Sequence, residues 1–234
     1  MSKISAAKGR KDGNSGYVRV IGNVKLGQLL SRVQATVISN GSELERMIAD
    51  RSQVIEDLDL FIDDTTANKV PSGAYLCLKK TLKKSRYAQL VKKIEPDMLI
   101  FVVEQNRICK IIELKDGDAF DTKKSAAERK NLETFATVFG AKIPFVTDFF
   151  ICSFNQESKE KIFEGFKGCF DLDHILTGSE LCAILNIDYN EIKNIRTADA
   201  KENFSYFIDE LLAIPEAKEQ IERKLQGTDK QPNL

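Results

Sequence analysis

Apolar positions recur along this chain with two periods, and the change from one to the other places the elements. Lys25–Ser39 carries Leu26, Leu29, Leu30, Val33 and Val37 at helical spacing, and Asn40-Gly41 then reads as a break. A second helix is expected from Ser42, with Ser42 and Glu45 as its capping box and Leu44, Met47 and Ile48 inward. Ile55–Ile62 predicts a short helix, 65–74 a loop, and Tyr75–Leu90 a mixture of strand and basic helix. Met98–Val103 and Arg107–Leu114 are different: runs of Ile, Val, Leu and Phe around the polar Glu104-Gln105-Asn106, the pattern of a β-hairpin. Thr122 or Asp121 should cap a helix to about Phe139, ended by Gly140, with Ala126, Ala127, Leu132, Phe135, Ala136 and Phe139 against a sheet. Pro144 introduces a strand, Phe149–Phe154, so hairpin, crossover helix and strand make a mixed α/β core. Beyond it, Glu157–Phe166, Ser179–Leu185, Asn203–Ala213 and Glu216–Leu225 read as helices, and Thr177–Asn194 gives a weak helix-turn-helix signal.

The hairpin carries the chemistry. Side chains alternate along a strand, so Glu113 and Lys115 share a face while Leu114 points to the other. Asp97 joins them only in one register. A two-residue loop pairs 104 with 107 and turns Asp97 away; a three-residue loop pairs 103 with 107 and sets Asp97 opposite Glu113. Asn106 tolerates the left-handed conformation in which such a loop often ends, and a bulge would serve equally. Both strand faces are otherwise apolar, so helices should cover the sheet on each side, with Lys110 near a turn or an edge. Two carboxylates at a strand end can hold a divalent cation, and a lysine can sit beside the group that the cation activates. That arrangement points to metal-dependent phosphodiester cleavage.

Glu-x-Lys alone carries no such meaning, because the chain has six, beginning at Glu113, Glu128, Glu157, Glu191, Glu216 and Glu222. Five lie in polar, helix-like stretches where both residues read as solvated surface. Only Glu113 follows a long apolar strand and an upstream Pro-Asp, where buried charges need partners or a metal.

Pro96-Asp97, fifteen residues, then Glu113-Leu114-Lys115 resembles the PD-(D/E)XK nuclease superfamily. Residues 116–125, Asp-Gly-Asp-Ala-Phe-Asp-Thr-Lys-Lys-Ser, are similar to the segment after this motif in some bacterial type II restriction endonucleases. Gly41-Ser42-Glu43-Leu44-Glu45 looks like the helix that often adds an acid in that superfamily. The resemblance implies an α/β, restriction-endonuclease-like core over 25–155, with a central mixed β-sheet flanked by helices. It further implies that Asp97, Glu113 and the main-chain carbonyl of Leu114 bind Mg2+, joined by Glu45, with Glu43 as its substitute. Lys115 would position or help deprotonate the attacking water, leaving a 5′-phosphate and a 3′-hydroxyl.

Composition narrows the field. The formal net charge is zero, but the charges are segregated. Residues 1–40 carry seven basic residues against Asp12, and 65–94 carry eight basic residues and no acid. Basic stretches beside an acidic centre suit DNA, and Arg10, Lys11, Lys83, Lys84, Arg86, Lys123 and Lys124 are the candidate phosphate contacts. Lys123 and Lys124 begin a helix whose amides could also face a phosphate. No apolar run approaches the roughly 20 residues that span a bilayer, and the N-terminus lacks a signal-peptide core. Five widely spaced cysteines read as reduced core residues, so a cytoplasmic protein is expected. A single histidine, His174, excludes paired-histidine nucleases, and nucleotide-binding glycine loops are absent. It precedes a helix that Thr177 and Glu180 could cap.

Residues 1–24 read as a flexible basic arm, and 156–234 as a helical C-terminal region packed on the same domain. The leading expectation is a Mg2+-dependent, sequence-specific double-strand DNA endonuclease acting as a homodimer. A structure-directed repair or junction-resolving nuclease would use the same centre. A DNA-binding or assembly protein would keep the cluster as structure alone.

Overall fold

A computed structural model describes residues 3–10, 15–91, 94–117 and 122–227, side chains excepted at 91, 122 and 123. The strands are β1 (Gln53–Val54), β2 (Gly73–Leu78), β3 (Met98–Val103), β4 (Ile108–Lys115), β5 (Val146–Ser153) and β6 (Ile175–Thr177). The helices are α1 (Gly16–Ile21), α2 (Val24–Ala49), α3 (Leu58–Thr66), α4 (Lys79–Leu82), α5 (Thr122–Gly140), α6 (Lys159–Gly165), α7 (Gly178–Leu185), α8 (Tyr189–Leu212) and α9 (Pro215–Leu225). The chain divides into two compact units: Leu44–Ile192, which holds the sheet, and a helical unit of Met1–Glu43 with Lys193–Leu234. Among the described residues no helix is long and apolar enough to cross a membrane.

The sheet unit has one mixed sheet in the order β1-β2-β3-β4-β5-β6. The hairpin β3–β4 and the pair β2–β3 are antiparallel, whereas β1–β2, β4–β5 and β5–β6 are parallel. Parallel neighbours need a crossover, and α5 supplies it between β4 and β5. The alternation of the strands decides which helices cover which face. Leu99, Phe101, Val103, Cys109, Ile111, Phe149 and Ile151 share one buried cluster with Phe61 of α3 and Leu132, Phe135 and Phe139 of α5. On the opposite face Met98, Ile100, Ile112, Leu114, Phe150 and Cys152 are buried, and Cys182 of α7 lies beside Cys152. The expected α/β core with helices on both sides is therefore present.

Several local expectations need correction. The break at Asn40-Gly41 does not occur: α2 runs through it to Ala49, so Ser42 is not an N-cap and Glu45 lies inside the helix. A helical glycine costs about 1 kcal/mol, less than is gained by burying Leu44, Met47 and Ile48. Of the two places expected for Lys110 the edge is excluded and the turn holds: it is the third residue of β4 after the hairpin connection, pairs with Ile100 and Asp148, and has its ammonium 4.4 Å from the Phe150 ring centre. On α5, Ser125 is buried in place of Ala126 and Ala127, which are exposed. The helix of 55–62 is displaced to Leu58–Thr66, because Asp57 accepts from the Asp59 and Leu60 amides and caps it there. Strand β6 and the first half of α8 were not expected. Three residues are too few to show a period, and α8 is polar along most of its length. By contrast Thr177 and Glu180 do form the capping box of α7. His174 stacks on Phe149 with ring centres 4.4 Å apart, a packing role.

The 1–24 segment, expected as a flexible arm, includes α1 in the helical unit, capped by the Ser15 hydroxyl. Ile4 is buried there, its N–H donating to Asn203 Oδ1 at 2.9 Å. Arg32 of α2 donates to Tyr206 Oη of α8 at 2.7 Å and pairs with Glu210.

Two glycines give opposite expected results. A Cβ on Gly41 meets nothing within 4 Å, so Gly41→Ala should stabilise the protein; the helical preference is about 0.5–1 kcal/mol. A Cβ on Gly178 would lie 2.2 Å from the Phe154 carbonyl oxygen, a backbone atom that cannot rotate away. Gly178→Ala should cost about 1–3 kcal/mol or more. Denaturant midpoints of the two variants against the parent check both signs.

Candidate active site

Hairpin pairing runs from Met98↔Ile112 to Val102↔Ile108, which places Asp97 across from Glu113. This is the register that brings both acids to one face. Asn106 does not adopt the left-handed conformation, since the non-glycine residues at positive φ among those described are Asn68, Lys167 and Asn186. The ladder stops at Val102↔Ile108, leaving a longer connection that turns without a left-handed residue.

At the far end of the hairpin the charges meet. The Leu114 N–H donates to Asp97 Oδ2 at 2.9 Å, which fixes the aspartate against β4. Lys115 Nζ donates to Glu113 Oε1 at 2.6 Å and to Glu128 Oε1 at 2.7 Å. Glu128 comes from α5, and its carboxyl also contacts that of Glu113. Glu45, from the C-terminal half of α2, lies within electrostatic reach of Asp97. Glu43 is two helical positions away, about 200° around the axis, and does not share that direction. The side chains of Glu113, Lys115 and Glu128 are 13%, 22% and 26% exposed, so their charges act on each other through little water.

Burial, then the charge of Asp97, pushes the Glu113 carboxyl up to about 8 despite the pull of Lys115. Burial also raises Asp97, against the Leu114 amide and the Lys115 and Lys79 charges. Glu45 is raised by burial and by Asp97, with Lys79 opposing. For Lys115, burial pulls the ammonium down, but Glu113 and Glu128 outweigh it and hold the group above the ordinary lysine value. A cluster of acids that resists ionising is one that a cation would stabilise.

Hard carboxylate oxygens are the right donors for Mg2+. Among the described residues no three acidic, histidine or cysteine side chains already converge as a ligand set. The Lys115 ammonium lies between Glu113 and Glu128 and supplies the counter-charge.

Glu128 was read from the sequence as solvated surface, and that reading fails. The available signal was the helical stripe Ser125, Glu128, Leu132, Phe135, Phe139, which puts Glu128 on the inward face. Lys79 is the other residue not singled out. It follows Leu78, which pairs with Met98, so the β2–β3 register brings it beside Asp97. That pairing is long-range and leaves no mark in the local pattern.

The candidate DNA contacts are dispersed and differ in state. Lys79 and Lys83 both place Nζ 2.9 Å from Glu95 Oε2. Arg86 forks Asp63 at 2.6 and 3.3 Å. Lys84, Lys124 and Arg10 are exposed, and the Arg10 N–H donates to Ser31 Oγ at 2.8 Å. Lys11 lies outside the described residues, as does the Lys123 side chain.

No family model and no solved structure matches this chain. A curated protein does: the type II restriction enzyme HhaII of Haemophilus parahaemolyticus is 67% identical over 225 residues, covering 95% of this chain and 99% of the relative. The match spans nearly the whole of both chains. The chain belongs to the type II restriction enzymes.

Proposed function

We propose that this restriction endonuclease cleaves double-stranded DNA through a Mg2+ centre of the PD-(D/E)XK kind, built on Asp97, Glu113 and Lys115. The observation that carries the reading is the hairpin register, which sets Asp97 opposite Glu113 and leaves Lys115 on the same face. Asp97, Glu113 and the Leu114 carbonyl would hold the ion, with Glu45 completing the set. When bound, the ion lowers the pKa of a coordinated water and offsets charge on the phosphate. Lys115 stays protonated at neutral pH because of its two acidic partners. Its part is therefore to orient the water and face the phosphate as a donor, rather than to remove a proton. In-line attack leaves a 5′-phosphate and a 3′-hydroxyl.

Phosphate contacts come from Lys84, Lys124, Arg10 and Lys11, with Lys123, and from Lys83 and Arg86 once phosphates replace their carboxylate partners. A homodimer on a two-fold symmetric site follows from matching protein symmetry to DNA symmetry. A cytoplasmic setting suits the buried thiols Cys77 and Cys182, which burial pushes up to about 12. The relative's full-length identity favours cleavage by sequence over cleavage by branch structure.

The test is incubation of the purified protein with plasmids of mixed sequence, in Mg2+ and in Ca2+. Discrete fragments sharing one terminal sequence in Mg2+, and intact bound DNA in Ca2+, are the expected result. Intact DNA in both, still shifted on a gel, would refute the reading in favour of a binding protein.

A further inference from the structure

We infer that Glu128 is a positioning residue whose carboxylate holds the Lys115 ammonium in place during cleavage, an inference that rests on the function proposed above. Glu113 and Glu128 grip the ammonium at nearly equal distances, 2.6 and 2.7 Å, but from different elements. Glu113 is committed to a second task as an ion ligand, and turning towards a cation weakens its hold on the lysine. A lysine side chain carries roughly 2 kcal/mol of rotamer entropy, so with Glu113 withdrawn and no second anchor it would disperse. Glu128 is the anchor that persists.

The helix behind it is built to stay put. Leu132, Phe135 and Phe139, on the same stripe, belong to the buried cluster under the sheet. Arg129, the next residue, donates to the Cys169 carbonyl at 2.9 Å and to Asp171 at 2.8 Å. One turn from its end, α5 is fastened to β5 by Thr147 Oγ1, which donates to the Ala136 carbonyl at 2.9 Å. A carboxylate on such a helix fixes a flexible ammonium by rigid-body placement, and misplacement by about 1 Å can cost 10²-fold in rate.

The experiment compares Glu128→Ala and Glu128→Gln, alone and combined with Lys115→Ala, on the DNA site recovered from the fragments above. Single-turnover rates are measured at saturating Mg2+, with Mg2+ half-saturation, DNA affinity in Ca2+ and melting temperature alongside. Glu128→Ala should lose about 10- to 100-fold in rate, with DNA affinity and Mg2+ half-saturation unchanged. Glu128→Gln keeps an amide oxygen for the ammonium and should recover most of that loss. In the Lys115→Ala background the Glu128 change should cost nothing further, which a merely structural role would not produce. Independent of activity, the Lys115 ammonium signal in a 15N spectrum of the Ca2+ and DNA complex, where Glu113 turns to the ion, should broaden into solvent exchange in Glu128→Ala.

A full rate in Glu128→Ala overturns the inference, as does a raised Mg2+ half-saturation, which would make Glu128 a ligand. Loss that adds to that of Lys115→Ala overturns it too. If Lys115→Ala is too slow to measure, recovery in Glu128→Gln decides: its absence overturns the inference. A fully active Lys115→Ala would instead overturn the role of Lys115 itself, a separate failure.

Discussion

Glu113→Gln is expected to slow single-turnover cleavage by at least about 10³-fold, with DNA still bound in Ca2+. Glutamine has the shape of glutamate, so the end of β4 keeps its packing and its pairing with β5. What is lost is a negative charge that the proposed ion requires. A factor of 10³ corresponds to about 4 kcal/mol, the scale of charge stabilisation that a bound divalent ion gives a phosphoryl transition state. The same substitution should stabilise the metal-free fold, because burial and Asp97 both work against the ionised glutamate. Slower catalysis with a firmer fold separates loss of a ligand from loss of structure. Rates at saturating Mg2+ and denaturation in chelator check the two halves, and a variant at full rate would remove Glu113 from the centre.

The second large effect is a fall in metal-free stability as the pH rises. Folded Glu113 titrates at about 8, against the ordinary glutamate value of 4.5. Between those values the folded protein keeps a proton that the unfolded chain has released, so each step up in pH favours unfolding. The slope reaches about 1.4 kcal/mol per pH unit for one proton. Asp97 is raised as well and acts in the same direction from its own ordinary value of 3.8. Lys115 does not offset this: its pKa is raised, so its contribution is fully present across the window and fades only at more alkaline pH. Because the groups are coupled, a total loss on the order of 2–3 kcal/mol between pH 5 and 8 is expected. A divalent cation should shrink the loss by favouring the ionised acids, and Glu113→Gln should flatten it. Urea midpoints at pH 5 and 8, in chelator and in Ca2+, measure this. Stability that rises over that range would contradict the account.

Much of the core was legible because hairpin and crossover helix are local. Ile, Val, Leu and Phe in two runs give strands, their alternation puts Glu113 and Lys115 on one face, and the stripe on α5 gives the helix over them. The register of Asp97 was one of two stated options, and the ladder selects it. Glu128 shows the limit of local reading. Its Glu-x-Lys looks like any other on a polar helix, and only the stripe of Leu132, Phe135 and Phe139 shows that it points inward. Lys79 and Glu45 depend on which distant segments meet, and that is decided by the pairing of β2 with β3 and by the packing of α2. Gly41 misled for a similar reason: its local preference for a break is small beside the burial of the residues that follow it.

The most direct test of the central claim is a crystal of the protein on its own DNA site in the presence of Ca2+. The account predicts a Ca2+ ion about 2.3–2.6 Å from carboxylate oxygens of both Asp97 and Glu113, beside the target phosphate, with Lys115 still on Glu128. An ion held elsewhere, or Lys115 still bridging Glu113 and Glu128 with no ion between Asp97 and Glu113, would contradict it.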